Sequence, residues 1–347
     1  MKHSLITLSA MMSLAFAKPA LADEPNIAVS IAPLKYIVKQ VAGDYGTVSQ
    51  IVPQGQSPHD MSLRPSQRLL IERSDLIFLV HPQLEASLAS LVEDDDEGFV
   101  ILAEHMADSL LPLDESRMHD HEHDDHHDEH KHDEHKHDDH DDHHDEHKHD
   151  EHDDHDDHDE HKHDDHHEHH DDHHDLTEMD LHLWMSPSVM ALVADEVAHI
   201  LSDRYPEQQS SFEANSIALQ AELATIDDDI KTLLAAVQTG PFITMHHVTA
   251  YLEDAYNLSS VGAILPHAEG QISAGHLRAL EQKAREQNVA CLFYEPEFSQ
   301  KIATQLAQDL EVNAVLLDPL GSQLGEEADI GDYWQQVKQS LEGCFTS

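Results

Sequence analysis

After residue 25 the apolar positions fall into short, nearly continuous runs separated by polar turns. Asn26–Ile31, Gly46–Val52, Asp75–Val80 and Phe99–Ala103 read as strands, and Pro65–Arg73 reads as a helix with Ser66 near its start. Strands that are apolar throughout, rather than alternating, point to a parallel sheet covered on both faces. Further along the period changes. Val189, Leu192, Val193, Val197, Ile200 and Leu201 form a helical stripe, opened by Ser186 as N-cap and Pro187 at the first helical position. A second helix is expected over Glu207–Val237, with Ile217, Leu219, Leu223, Ile226, Ile230 and Leu233 as its buried positions. Strand-like runs then return at Phe242–Met245, Ser260–Leu265, Ala290–Tyr294 and Asn313–Leu317. Helices fit between them near Val248–Tyr256, Ala274–Glu286 and Ser299–Leu310. The pattern predicts an α/β fold of two β/α lobes joined by helix, with a ligand cleft at the carboxyl ends of the strands.

Between the first lobe and the helices lies a tract of different composition. His119–His174 contains only His, Asp, Glu and Lys: 25 of the chain's 35 histidines, 27 acids and 4 lysines. With no apolar side chain to bury, such a segment cannot offset the entropy of ordering itself, so it is expected to be disordered. Imidazole suits zinc, copper, nickel and iron, and carboxylates add oxygen donors and negative charge. An acidic linker would not need imidazole at nearly every second position, so the tract reads as a metal collector. The formal charge is −51, of which the tract carries −23. The remaining −28 repels nucleic acid and anionic lipid and attracts cations. Glu93–Glu97 reads as an acidic turn only.

The first residues resemble an export signal. Lys2 gives a positive start, Leu5–Ala17 is apolar, and Ala20-Leu21-Ala22 is an A-x-A cleavage site ahead of Asp23. No later segment reaches the ~20 apolar residues of a spanning helix. The expectation is a monomer exported to the periplasm without membrane insertion, its signal 1–22 removed. The two cysteines, Cys291 and Cys344, favour a disulfide in that compartment, the competing reading being a soft metal pair. The expected domains are 23–186, an α/β lobe that includes the tract 119–174; 187–238, linking helices; and 239–347, a second α/β lobe.

Candidate chemistry lies where strands should end. His59 follows the strand ending at Val52, His182 stands just beyond the tract, His246 and His247 follow Met245, and Asp318 follows Leu317. Three imidazoles and a carboxylate on converging loops would make a four-coordinate zinc site; spacing alone leaves their convergence open. His81, His105, His199 and His276 read as ordinary surface histidines.

The residues around these positions resemble a known family. Pro58–Ser66 (PHDMSLRPS) is similar to HDYSLRPSD, Asp180–Pro187 (DLHLWMSP) to D-x-H-L-W-L-S-P, and FITMHHVTAYLE at Phe242–Glu253 to FFVFHDAYGYFE. CLFYEPEF at Cys291–Phe298 resembles C-V-F-x-E-P-Q-F, and Leu317–Gly321 matches LDPLG. These are the motifs, in order, of the periplasmic zinc-binding proteins of ABC importers, the ZnuA type of cluster A-I solute-binding proteins. The resemblance implies two lobes joined by a long rigid helix, with one zinc ion between them. It implies His59, His182 and His246 as ligands, Asp318 as fourth ligand or near neighbour, and a Cys291–Cys344 disulfide. Pro58 stands where the family often has Glu, which leaves Asp318 or water as fourth donor. His247 stands where the family has Asp, and reads as a group behind the site or at the surface in preference to a spare ligand. Pro266–Gly270 departs from the family without a legible consequence. Related manganese and iron binders place a carboxylate where this chain has His246; three imidazoles suit zinc.

The function so implied is high-affinity capture of periplasmic zinc and its delivery to a membrane permease, with the tract collecting or buffering zinc. No G-x-x-x-x-G-K-[ST] occurs, so the transporter's ATPase is expected to be a separate chain. A metal-dependent adhesin or a plain zinc buffer is the alternative. A zinc hydrolase, with Asp60 or Glu253 as base, is disfavoured because neither H-E-x-x-H nor G-x-S-x-G is present.

Overall fold

The computed structural model describes residues 24–92, 98–113, 176, 178–266, 268 and 270–346. The expected export signal at 1–22, the expected acidic turn at 93–97, the tract 119–174 and two positions of the segment 266–270 lie outside the described residues. The first lobe is built on a parallel sheet of β1 (Asn26–Val29), β2 (Thr47–Gln50), β3 (Leu76–Leu79) and β4 (Phe99–Ile101), in the order β2-β1-β3-β4. β3 (LIFL) is buried at every position, as a strand with helices on both faces must be. Around this sheet lie α1 (Ala32–Ala42), α2 (Pro65–Glu72) and the single turns α3 (Ala86–Ala89) and α4 (Leu102–His105).

The sequence reading omits α1. It follows β1 after only two residues, and Lys35, Lys39 and Gln40 mark its one polar face at helical spacing. The helix stops at Gly43, whose φ of 62° is left-handed; a Cβ there would come within 2.9 Å of Asn215 Nδ2. That amide instead donates to the Val41 carbonyl at 3.0 Å. His81 differs from expectation as well: it is buried, not at the surface. Its Nδ1 accepts from Gln83 N, and the Val80 and His81 amides donate to the enclosed Glu85 carboxylate. Of the other three, His105 and His199 are exposed and His276 is half-buried.

The chain leaves the first lobe through β5 (Leu111–Pro112) and returns through β6 (Met179–Asp180), which pairs antiparallel with it. Tyr251 bonds to both through its hydroxyl, accepting from Leu111 N at 3.1 Å and donating to Asp180 O at 2.7 Å. The root of the acidic insert is therefore closed whatever lies beyond it. A 3₁₀ turn at Leu183–Met185 leads into α5 (Pro187–Arg204), which packs along α6 (Gln209–Ala236). At 28 residues α6 is about 42 Å long. Two apolar positions expected to be buried are exposed, Leu192 at 50% and Ile217 at 67%. On α6 the buried stripe is Phe212, Ser216, Leu219, Leu223 and Ile230, and Ile217 lies about 200° from Leu219.

The second lobe carries β7 (Phe242–His246), β8 (Ser260–Leu265), β9 (Cys291–Tyr294) and β10 (Asn313–Leu316), again parallel, in the order β10-β9-β7-β8. Between them run α7 (Ala250–Tyr256), α8 (Ala274–Gln287) and α9 (Gln300–Leu310). The last helix, α10 (Ile330–Phe345), packs on β9, β10, α6 and α1, so it touches both lobes. α6 is likewise tied to both: Gln40 of α1 donates to Glu222 at 2.7 Å and Tyr256 of α7 donates to Asp227 at 2.9 Å. One buried cluster runs from β1 through α5 and α6 to Phe242, Phe293 and Trp334, while a smaller one fills the outer side of the second sheet. Among the described residues no helix is long and apolar enough to cross a membrane.

Cys291 of β9 and Cys344 of α10 form a disulfide with Cα atoms 5.3 Å apart and 53 residues of separation. Closing a loop of that length stabilises by about 4 kcal/mol in the chain-entropy model. A Cys291→Ala, Cys344→Ala double variant should therefore unfold at lower denaturant by roughly that free energy. Denaturant unfolding with and without reductant checks this: the double variant should be insensitive to reductant and match the reduced parent.

Candidate metal centre

Both sheets point their strand ends at one place. His59 lies in a turn beyond β2, His246 is the last residue of β7, and His182 follows β6. Their ring centroids form a near-equilateral triangle: 5.5 Å from His59 to His182, 5.7 Å from His59 to His246 and 5.3 Å from His182 to His246. One ligand atom from each can be chosen so that all lie within 4.8 Å of one another, the one such group of His, Cys, Asp or Glu among the described residues. The histidines meet although 187 residues separate the first from the last.

Two of the rings are held by buried carboxylates that sequence reasoning did not assign. Asp180 Oδ1 accepts from the His182 amide at 2.8 Å and from its Nδ1 at 3.0 Å. Glu295 Oε1 accepts from the His246 amide at 3.2 Å and from its Nδ1 at 2.7 Å. An ionised carboxylate only accepts, so it fixes the proton of each neutral ring on Nδ1 and leaves the Nε2 lone pair free to ligate. Both Nε2 atoms are buried and have no hydrogen-bond partner. The visible signals were Asp180 two residues before His182 and the acid directly after β9; the latter required β7 and β9 to be neighbours, which only the fold reveals. Trp184 stands against His182 and Phe298 against His246, each with centroids 5.3 Å apart, so the walls are apolar.

This enclosure shifts the titrations. Burial, with the adjoining His182 and His246 rings, pushes the His59 imidazole down to about 2, which keeps it neutral and able to ligate. For His246 burial opposes the charged form, yet the Glu295 carboxylate and its hydrogen bond, helped by Asp180 and Glu297, raise its proton affinity overall. Asp180 is held below the ordinary carboxylate range because the His182 contacts outweigh its burial.

The remaining nominated residues stand outside the triad. Asp318 is buried and does not join the close-packed ligand atoms. Its Oδ1 accepts from Ser322 N at 2.9 Å and Ser322 Oγ at 3.1 Å, and its Oδ2 accepts from Gln323 N at 2.9 Å. Gly321, at φ 62°, provides the turn that brings those donors round. The loop is anchored through Pro319, whose carbonyl accepts from Trp184 Nε1 at 2.8 Å and Tyr333 Oη at 3.0 Å. His247 is half-buried and outside the triad. Glu253 accepts from Thr249 Oγ1 and Ser260 N, a structural placement rather than that of a hydrolytic base. Glu297, not singled out from sequence, has both carboxylate oxygens buried without a hydrogen-bond partner. Burial first, then Asp318 and Glu295, push its carboxyl up to about 7, with its own amide and the Ser322 hydroxyl offsetting part of this. Three imidazoles, two of them backed by buried carboxylates, suit a divalent ion of zinc's preferences.

The sequence model of the family described as zinc-uptake complex component A, periplasmic (ZnuA), matches residues 27–343. The high-affinity zinc uptake system protein ZnuA of Haemophilus influenzae is 35% identical over 320 residues, 92% of each chain. That of Brucella suis is 31% identical over 353 residues, 99% of this chain and 98% of the relative. A crystal structure of ZnuA superposes with a TM-score of 0.65 at 22% identity, covering 92% of this chain and 97% of the other.

Glu295→Gln should lower zinc affinity about 10- to 100-fold at neutral pH, the usual effect of removing a carboxylate behind a ligating imidazole. Protons compete for the His246 lone pair, so zinc should be lost as pH falls. Because Glu295 raises the proton affinity of His246, the midpoint of the pH dependence of the affinity should move to lower pH in the variant, even though the affinity itself is weaker at every pH above it. Chelator-competition titrations across pH check both; an unchanged midpoint would remove Glu295 from the account.

Proposed function

The chain belongs to the ZnuA family of periplasmic zinc-uptake components, and from that premise we propose that it captures one zinc ion in the His59–His182–His246 triad and delivers it to a membrane permease. The observation that carries this reading is the pair of buried Nε2 atoms, on His182 and His246, left without partners beside a third imidazole held neutral by burial. Buried polar atoms without partners are uncommon in folded proteins, and two on facing imidazoles match the needs of a cation. The family is one of transport binding proteins rather than enzymes.

Asp318 serves in this reading as a near neighbour that adds negative potential, since both of its oxygens already hold loop donors. The permease draws its energy from a separate ATPase, because this chain carries no P-loop. The protein acts as an exported monomer released from a signal at 1–22. Its 25 tract histidines form a second class of site: individually weaker, because the tract's composition offers no apolar side chains to organise the ligands in advance, but numerous. Their attachment to the same chain raises the local zinc concentration near the triad, so the tract collects and the triad retains.

Deleting residues 119–174 should abolish most of the zinc stoichiometry and leave one equivalent that resists a strong chelator. His59→Ala in the full chain should do the reverse. Zinc analysis after chelator treatment, with growth of cells at limiting zinc, checks both. Normal growth with the deletion would restrict the tract to storage; one resistant equivalent persisting in His59→Ala would overturn the triad.

A further inference from the structure

We propose that Tyr251 is a positioning residue for zinc binding: from the second lobe its hydroxyl fixes Asp180 in the first, and through Asp180 it sets where His182 presents its ligand atom; this deepens the proposed metal site and rests on it. Tyr251 is a buried residue of α7, a short way beyond His246 at the end of β7. Its hydroxyl stands at the rung where Leu111 of β5 faces Asp180 of β6. There it accepts from the Leu111 amide at 3.1 Å and donates to the Asp180 carbonyl at 2.7 Å. Burial raises the proton affinity of the phenol by more than the Leu111 amide lowers it, and the nearby Asp180 raises it further. The group therefore keeps its proton and remains a donor to Asp180.

Asp180 passes that restraint on. While its carbonyl receives Tyr251, its Oδ1 accepts from both the His182 amide and His182 Nδ1. A shift of Asp180 along β6 thus carries the imidazole with it. Left to itself β6 is a weak support: it is two residues long, and among the described residues it pairs with β5 alone. An isolated two-stranded ribbon is marginally stable at best, so an outside tie is needed to hold the pair to the precision a metal site requires. The hydroxyl of Tyr251 supplies that tie on the upstream side of His182. On the downstream side Trp184 Nε1 donates to the Pro319 carbonyl, and α7 packs against the Leu183–Met185 turn. His182 is thereby gripped on both sides by the second lobe. The single unit β7–α7 carries one ligand, His246, and holds the carboxylate behind another, so the spacing of two imidazoles is fixed over a few residues of chain as well as by the larger frame.

The test compares the full-length protein with Tyr251→Phe, Tyr45→Phe and His59→Ala, all titrated with zinc against a chelator strong enough to strip the tract. Tyr45→Phe is the control: it deletes a hydroxyl that donates to Glu207 at 2.9 Å, just before β2 and so at the opposite end of the first sheet from the histidines. Tyr251→Phe is expected to weaken the resistant zinc site about three- to tenfold, the scale of one net hydrogen bond. Tyr45→Phe should leave that site at the parent level. In the unaltered protein zinc should slow hydrogen exchange at the Leu111 amide, because a hydroxyl that helps to place a ligand is held in return when the ligand is occupied. Parent-like affinity in Tyr251→Phe, an equal loss in Tyr45→Phe, or Leu111 exchange indifferent to zinc overturns the proposal while the triad stands. Retention of the resistant zinc by His59→Ala would instead overturn the triad reading. The Leu111 exchange decides the matter even if Tyr251→Phe fails to fold.

Discussion

Two hydrogen bonds, Asp180 to His182 and Glu295 to His246, determine what the cleft can do. Each joins an imidazole Nδ1 to a buried carboxylate, and each selects the nitrogen that faces inward. Without them the rings could turn, change tautomer or accept protons at Nε2, and three neighbouring histidines would be an electrostatic liability. With them, two lone pairs are presented at a fixed point by groups that also bond the histidines' own amides. The arrangement is organised before any ion arrives, so little ordering entropy remains to oppose binding.

That organisation reaches into the frame. Asp180 belongs to the short β6 strand at the root of the insert, and Glu295 directly follows β9 in the opposite lobe. Their separation is set by elements that touch both lobes: α6, bonded to α1 and α7, and α10, held to β9 by the disulfide. The Pro319 carbonyl adds a direct tie, receiving one donor from the His182 segment and one from α10. A shared apolar core spanning the lobes makes hinge-like separation costly, because opening would expose Trp184, Tyr333 and Trp334.

Much of this was legible in the chain. The parallel strands were announced by runs such as Leu76–Leu79, and their carboxyl ends gave His59, His182 and His246 as a candidate set. What stayed hidden has physical causes. α1 was passed over because it follows β1 after only two residues, although Lys35, Lys39 and Gln40 mark one polar face at helical spacing. α10 went unassigned although Asp329 and Asp332 form a capping box at its start. Leu192 and Ile217 were drawn into buried stripes by their chemistry alone. The partners of His246 could not be found without knowing that β9 lies beside β7. Glu297 escaped notice because a carboxylate near the end of a strand is unremarkable until its surroundings are seen.

The β5–β6 pairing has a consequence for how such a chain can diversify. Leu111 and Asp180 are hydrogen-bonded neighbours, and the Tyr251 hydroxyl fastens both strands to the second lobe. Any peptide spliced between these strands starts and finishes at one stapled point. For a flexible loop, doubling the length adds only about 0.6 kcal/mol of closure entropy. Mutation can therefore lengthen, shorten or rewrite the intervening text almost freely, while the scaffold that reads the metal registers no change.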